Sequence, residues 1–197
     1  MPKSKKDTRK EQIMKSTITL MQQIGYEETS VRAICEAANI SIGSFYHYFK
    51  DKTELLNLIL GQVDLYLMEK IKPLLTNKSD SINLKNFALG FARETAVSSQ
   101  SYGGVLSSPH VPLPSSNEES RAEHTRALYQ IPKEIILHGQ ETGEFTDAYS
   151  ADLLTTHLVT CLRGYAMDWA RRSYSYDIEN HVSSFMDIFC RALTLRQ

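Results

Sequence analysis

The stretch 29–49, TSVRAICEAANISIGSFYHYF, decides how this chain is read. Thr29 and Ser30 stand where oxygen-bearing side chains cap a helix. Val31, Ile34, Cys35 and Ala38 follow at the three-and-four spacing of one apolar helical face. Asn39 falls where the chain must turn, and asparagine tolerates the left-handed conformation better than most residues. Ser41 then caps a second short helix, about 42–48, with Phe45 and Phe49 or Tyr48 facing inward. A short helix, a tight turn and a second short helix make a helix-turn-helix. The first helix braces against a nucleic-acid backbone so that the second enters the major groove, which is about 12 Å wide. The side chains suit that task. Thr29, Ser30 and Ser44 can bond phosphates or bases, and Arg32 can reach a guanine or a phosphate. Tyr46, His47 and Tyr48 are large and hydrogen-bonding, and all three cannot be core. Lys50 and Lys52 sit at the start of the next helix, where main-chain N–H groups also attract phosphate. Two short helices around a turn also occur in many enzymes, so the layout alone leaves both classes open.

Outward from this stretch the periodicity is helical nearly everywhere. Ile13, Thr17, Leu20, Met21 and Ile24 share one face of a helix over about 8–24, and Gly25 ends it. Asp51 and Glu54 read as a capping box opening a long helix that stops near Pro73. A helix at about 80–99 carries Leu84, Phe87, Ala88 and Phe91. Residues 98–116 hold seven Ser, three Pro and two Gly, so most of this segment reads as loop. Ser116 and Glu119 form another capping box, opening a helix to about His138 that Pro132 should kink. Gly139 and Gly143 punctuate the next turn. Two final helices, about 149–172 and 177–195, carry apolar stripes: Leu153, Leu154, Leu158, Leu162, Tyr165 and Trp169 on one, Ile178, Val182, Phe185, Phe189 and Leu193 on the other. The expected fold is all-α, with a three-helix DNA-binding domain over 1–52 and a larger helical domain over 53–197.

The chain has 197 residues, 42% of them hydrophobic, enough for a sizeable core. No apolar run approaches the ~18–20 residues of a spanning helix. The basic start, Lys3, Lys5, Lys6, Arg9 and Lys10, leads into no apolar segment and is not a secretory signal. Three widely spaced cysteines, Cys35, Cys161 and Cys190, argue against a disulfide framework and for a reducing, cytoplasmic setting. The net charge of -1 hides an asymmetry. Residues 1–52 hold nine Lys and Arg against six Asp and Glu, and the remainder thirteen against seventeen. A basic front on an acidic body suits a nucleic-acid partner, because only the contacting face must be positive.

Residues 13–56 resemble the DNA-binding domain of the TetR (tetracycline-repressor) family of bacterial transcription regulators. The resemblance is carried by Gly25-Tyr26, by 29–34 (TSVRAI), by 38–49 (ANISIGSFYHYF), by Lys50-Asp51-Lys52 and by Glu54-Leu55-Leu56. Ser16, Thr17, Met21, Cys35 and Asn39 depart from the common pattern, and each keeps size or backbone tolerance. Ile42 stands where the family varies, so it is expected to tune the operator, and its side chain suits a thymine methyl. The resemblance implies an all-helical homodimer of about nine helices per chain. Its last two helices would pack into a four-helix interface, and a middle part would enclose a small-molecule pocket whose ligand releases the DNA. Most such proteins are repressors. Arg32, Ile42, Ser44, Tyr46 and His47 are then expected to read or touch the groove of a palindromic operator. Thr29, Ser30, Ser41, Tyr48 and Lys52 are expected to hold phosphates. Tyr66, Phe87, Phe91, Tyr102, Tyr129, His157 and Tyr165 are candidates for the ligand pocket. Leu158, Leu162, Trp169, Val182, Phe185 and Phe189 are candidates for the dimer interface.

Rival readings have little to stand on. No GxSxG, Walker loop, GxGxxG, metalloprotease helix or Glu-x-x-His pair appears, so no enzyme is expected. His157 and Cys161 share a helix face at a spacing that zinc accepts, but two ligands are not a site, and neither a metal nor a cofactor is expected. Glu134 and His138 read as an ordinary i, i+4 helix pair. A DNA-binding architectural protein without a ligand stays open, and a preference for one palindrome over random DNA separates it from a regulator.

Overall fold

A computed structural model of the chain describes residues 5–97 and 125–194. These residues fall into two compact units, and the boundary lies between Val63 and Asp64. The expected loop at 98–116, with Tyr102, and the Ser116–Glu119 capping box that follows it lie outside the described residues.

The first unit begins with α1, Lys5–Glu28. Ile13, Met14, Ile18 and Met21 form its buried face. Thr17 shares that face, and its hydroxyl donates to the Ile13 carbonyl oxygen at 2.8 Å, so the polar replacement costs no unpaired group. Gly25 breaks the helical course with φ 83° and ψ 164°, a conformation glycine adopts without a side-chain clash. One further turn then runs to Glu28. Next come α2, Val31–Ala37, and α3, Ile42–Tyr48, each capped as the sequence indicates. The Ser30 hydroxyl accepts from the Ala33 N–H and the Ser41 hydroxyl from the Ser44 N–H, both at 3.1 Å. Asn39 takes the left-handed conformation, φ 50°, between them. α4 spans Lys52–Tyr66, and Asp51 accepts from the Glu54 N–H at 2.7 Å to start it. Ile13, Ile34, Phe45, Leu55 and Ile59, from all four helices, are each 0% exposed. A fully buried side chain of this size contributes roughly 1.5–3 kcal/mol, which is how helices as short as α2 and α3 hold their shape. The core of this unit thus extends past residue 52 into the first turns of α4.

The second unit starts at the end of α4, continues through one π-helical turn, Leu67–Ile71, and a short 3-10 turn, Lys72–Leu74. It includes α5, Asp80–Val97, α6, Ala127–Glu141, α7, Ala151–Arg171, and α8, Ile178–Thr194. Leu84, Phe87, Leu128, Ile136, Leu158, Leu162, Val182 and Met186 make its core, each fully buried. One expectation needs correction. The helix expected from residue 116 through to His138 has Arg126, which is extended (φ -74°, ψ 151°), as the N-cap of α6. Its guanidinium bonds the Asp64 carboxylate at 2.9 Å, a long-range contact that local sequence does not announce. Pro132 lies inside α6, as the sequence places it. Among the described residues there is no strand, and no helix is long and apolar enough to cross a membrane.

Candidate nucleic-acid interface

α3 is anchored by Phe45 and Phe49, which are buried and tilt against one another with ring centroids 5.4 Å apart. At 100° per residue that anchor turns Gly43 and His47 to the opposite side and Tyr46 to one flank, while Ile42 opens the helix at its N-terminal end. All four are exposed, and Ile42 and Tyr46 leave 51% and 56% of their surface in solvent. Ile42 and Tyr46 stand one turn apart, so the two exposed side chains are neighbours along α3. The Tyr46 ring meets Phe45 edge-on at 5.4 Å, which sets its direction. The turn before α3 is held from outside: the Arg9 guanidinium donates to the Asn39 carbonyl oxygen at 3.0 Å. The Lys10 ammonium lies 5.5 Å from the centre of the Phe49 ring.

The candidate residues divide by what they touch. Ser30 and Ser41 are exposed caps, and the Ser41 and Ser44 hydroxyls lie 3.0 Å apart. Arg32 is exposed and its guanidinium meets Glu36 at 3.1 Å, an i, i+4 pair that a phosphate can replace at little cost. Tyr48 is half-buried against the core. Thr29 requires correction. It is 0% exposed and its hydroxyl donates to the Gly25 carbonyl oxygen at 2.6 Å, so its side chain fixes the α1–α2 turn and does not face a phosphate. Lys52 is likewise engaged within the domain. Its ammonium donates to the Tyr26 carbonyl oxygen at 2.8 Å and sits 3.9 Å from the centre of the Tyr26 ring.

The second unit does not gather the ligand candidates into one lining among the described residues. Phe87 and Phe91 are core, with 0% and 2% exposure. His157 is exposed on the outer face of α7. Tyr165 stacks on Phe185 at 5.7 Å. Tyr129 is buried, its hydroxyl accepts from Arg163 at 3.2 Å, and it lines a cavity of about 10 Å³ with Lys133, Asp152, Thr155 and Thr156. That is room for one water. Tyr102 is outside the described residues. Tyr66 has a neighbour that the sequence pattern does not single out, Glu94. Burial holds the Glu94 carboxyl above its usual range, and burial together with the charge of Glu94 does the same to the Tyr66 phenol. A signal for it exists, since Glu94 stands seven residues after Phe87 on the inward side of α5.

The interface candidates also need correction. Leu158, Leu162 and Val182 are fully buried within one chain, and Trp169 is 7% exposed with its indole N–H on the Tyr176 carbonyl oxygen at 2.7 Å. A stripe already buried in the protomer has nothing left to cover. Phe185 and Phe189 stay half-buried, stacked at 5.6 Å, and the neighbouring Ile188 is 71% exposed.

Another charged cluster in this unit is structural. The Glu144 carboxylate accepts from the Asp80 and Ser81 N–H groups, both at 2.8 Å, and from the Ser79 hydroxyl at 2.7 Å, so it caps α5. Burial pushes its pKa up, but these hydrogen bonds win and hold it at about 2. The buried Asp80 carboxylate faces His138 at 2.8 Å, and that hydrogen bond and charge raise the imidazole above its usual range.

Residues 13–59 match the family described as bacterial regulatory proteins, tetR family. The chain is 35% identical over 54 residues to the HTH-type transcriptional repressor KstR of Mycolicibacterium smegmatis, a match covering 27% of this chain and 26% of that one. It is 32% identical over 64 residues to the HTH-type transcriptional regulator BetI of Yersinia pestis, covering 32% of each. The matches thus span about a quarter to a third of these relatives. Across the whole chain the fold is similar to the fatty acid degradation regulator FadR of Bacillus halodurans, with TM-score 0.77, 20% identity and 100% of both chains covered. It is similar also to FadR of Bacillus subtilis, solved with stearoyl-CoA, with TM-score 0.74 and 19% identity over 93% of this chain and 98% of that one.

Proposed function

We propose, for a chain whose N-terminal domain is that of the tetR family of bacterial regulators, that it is a cytoplasmic, ligand-responsive transcriptional repressor acting as a dimer on a palindromic DNA operator. The observation that carries this reading is the outward face of α3, where Ile42, Gly43, Tyr46 and His47 stand exposed on a helix clamped from behind by Phe45 and Phe49. Ile42, Tyr46 and His47 enter the major groove, and Ser30, Arg32, Ser41 and Ser44 meet the flanking backbone. Two-fold symmetry places the two α3 helices about 34–36 Å apart, or a multiple, which makes the site an inverted repeat. The dimer forms through the faces of α7 and α8 that remain open, with Phe185, Ile188 and Phe189 at the centre. A ligand bound in the second unit releases the DNA by preferring the conformation with the wrong half-site spacing.

The effector class rests on the fold neighbours. The FadR of Bacillus subtilis was solved with stearoyl-CoA and that of Thermus thermophilus with lauroyl-CoA, so long-chain acyl-CoAs are the first compounds to try. The test is selection of bound duplexes from a random library, followed by titration of the enriched duplex with and without lauroyl-CoA. An enriched inverted repeat released by a small molecule is the expected result. Equal affinity for every duplex would make this an architectural protein and overturn the regulator.

A further inference from the structure

We infer that Arg9 is a positioning residue for α3: it fixes the angle at which that helix is presented to DNA, and its charge is not spent on a phosphate. The inference rests on the DNA-binding reading and goes further, because it gives a residue of the basic start a role that touches no nucleotide. Asn39 is the weak point of the helix-turn-helix. It stands left-handed at φ 50°, a conformation that asparagine tolerates without favouring, and it departs from the common pattern of the family. The turn is bonded on its α2 side, from the Asn39 N–H to the Glu36 carbonyl oxygen at 3.2 Å and from the Ile40 N–H to the Cys35 carbonyl oxygen at 2.9 Å. On the α3 side the Asn39 carbonyl oxygen takes its bond from Arg9 Nη2, at 3.0 Å. Only Ile40 and Ser41 separate this carbonyl from the first residue of α3, so its direction governs that of the helix.

Arg9 reaches that oxygen in a fixed posture. Its other terminal nitrogen, Nη1, donates to the Gln12 side-chain oxygen at 3.0 Å, one turn along α1. A planar guanidinium held at both prongs is a rigid strut. The next residue acts at the far end of α3. The Lys10 ammonium lies 5.5 Å from the centre of the Phe49 ring, close enough for a cation–π contact, and Phe49 is the C-cap of α3. Two adjacent residues of α1 thus hold the two ends of one seven-residue helix. Released at one end, a helix about 10 Å long that tilts by about 10° moves its other end by about 2 Å, more than a preorganised contact tolerates. The loss falls on base contacts, which carry the sequence preference.

The experiment uses the full-length protein, a duplex enriched from a random library by that protein, and a scrambled duplex. Wild type, Arg9→Ala, Arg9→Lys and Gln12→Ala are titrated on both across a range of salt. Arg9→Ala should bind the enriched duplex roughly tenfold or more weakly, the size of a lost base contact, and lose its preference over the scrambled duplex by the same factor. Its slope of log affinity against log salt should not change. A phosphate contact would instead weaken both duplexes alike and flatten the slope by about 1.8, or about 0.9 from each protomer. Arg9→Lys keeps the charge and loses the fork, so it should behave like Arg9→Ala, whereas on a phosphate a lysine would serve as a point charge. Gln12→Ala frees one prong and should lower the preference by a smaller factor. The buried core begins at Ile13, so all three variants should stay folded, which thermal melting checks. An Arg9→Ala protein that keeps its preference would overturn the inference, whatever its thermal midpoint. So would a flattened slope, or an Arg9→Lys protein that binds as the wild type does. A library that yields no enriched sequence would instead defeat the DNA-binding reading, and this inference with it.

Discussion

Tyr46 is the single residue on which the proposed DNA binding should turn most visibly, since it is exposed and its ring is set edge-on against Phe45. Tyr46→Ala should leave folding within about 0.5 kcal/mol, as expected for a surface change, and weaken the operator complex by about 1–3 kcal/mol. Thermal melting and a titration at fixed salt check the two halves separately. Glu144 offers a test of the opposite kind. Its folded pKa of about 2 lies below the ordinary 4.5, so its contribution is complete above pH 4.5 and is lost as pH falls toward 2. Glu144→Gln should cost about 1.5–3 kcal/mol near neutrality, and the gap from wild type should close on acidification. His138 runs the other way. Its pKa is raised, so its pairing with Asp80 is complete below pH 6.5 and is lost as pH rises through the raised value. Single residues are only partly legible in the sequence. A serine or threonine before a helix signals a cap, but whether its hydroxyl ends outside, as in Ser30, or inside, as in Thr29, depends on how α1 packs.

Among the elements, local signals suffice for the first unit. Caps at Ser30, Ser41 and Asp51, the left-handed Asn39 and the break at Gly25 are each written within a few residues of where they act. The onset of α6 is not legible, because Arg126 is held extended by Asp64, sixty-two residues away. The interface stripe misleads for a related reason. An apolar face on α7 or α8 shows that the helix buries something, yet it cannot say whether the cover is the same chain or another. Gly139 tests packing between elements. A Cβ there would come within 2.2 Å of the Phe145 ring, which closes the turn after α6. Gly139→Ala should destabilise the protein by about 1–3 kcal/mol, measured by urea unfolding.

For the whole molecule the sequence supplies a basic N-terminal part and a larger acidic helical body, but the ligand candidates it offers are not drawn together among the described residues. Assembly is open to a direct test. Ile188 is 71% exposed, so Ile188→Glu should leave the protomer folded and shift sedimentation toward monomers, with loss of cooperative operator binding. An unchanged dimer would remove this face of α8 from the interface. The basic start of the chain is already partly committed, because Arg9 and Lys10 contact Asn39 and Phe49. Removal of residues 2–6, which include Lys3, Lys5 and Lys6, should flatten the log affinity against log salt plot by about 0.9 for each phosphate that the tail no longer neutralises. Preference for the operator over scrambled duplex should survive, because interactions with phosphate carry no sequence information.

The three thiols differ in a way that turns the chain into its own reporter. Cys35 and Cys190 are buried, and burial raises both pKa values, that of Cys190 to about 11, whereas Cys161 is exposed on α7. Alkylation needs an accessible thiolate, so a maleimide added to the native protein should mark one cysteine quickly and the other two only as each unit opens. The fast site lies on the same outward face as His157, one turn along from it. Under the proposed pairing through the open faces of α7 and α8, its labelling rate should fall as protein concentration rises, and that dependence would report the pairing equilibrium.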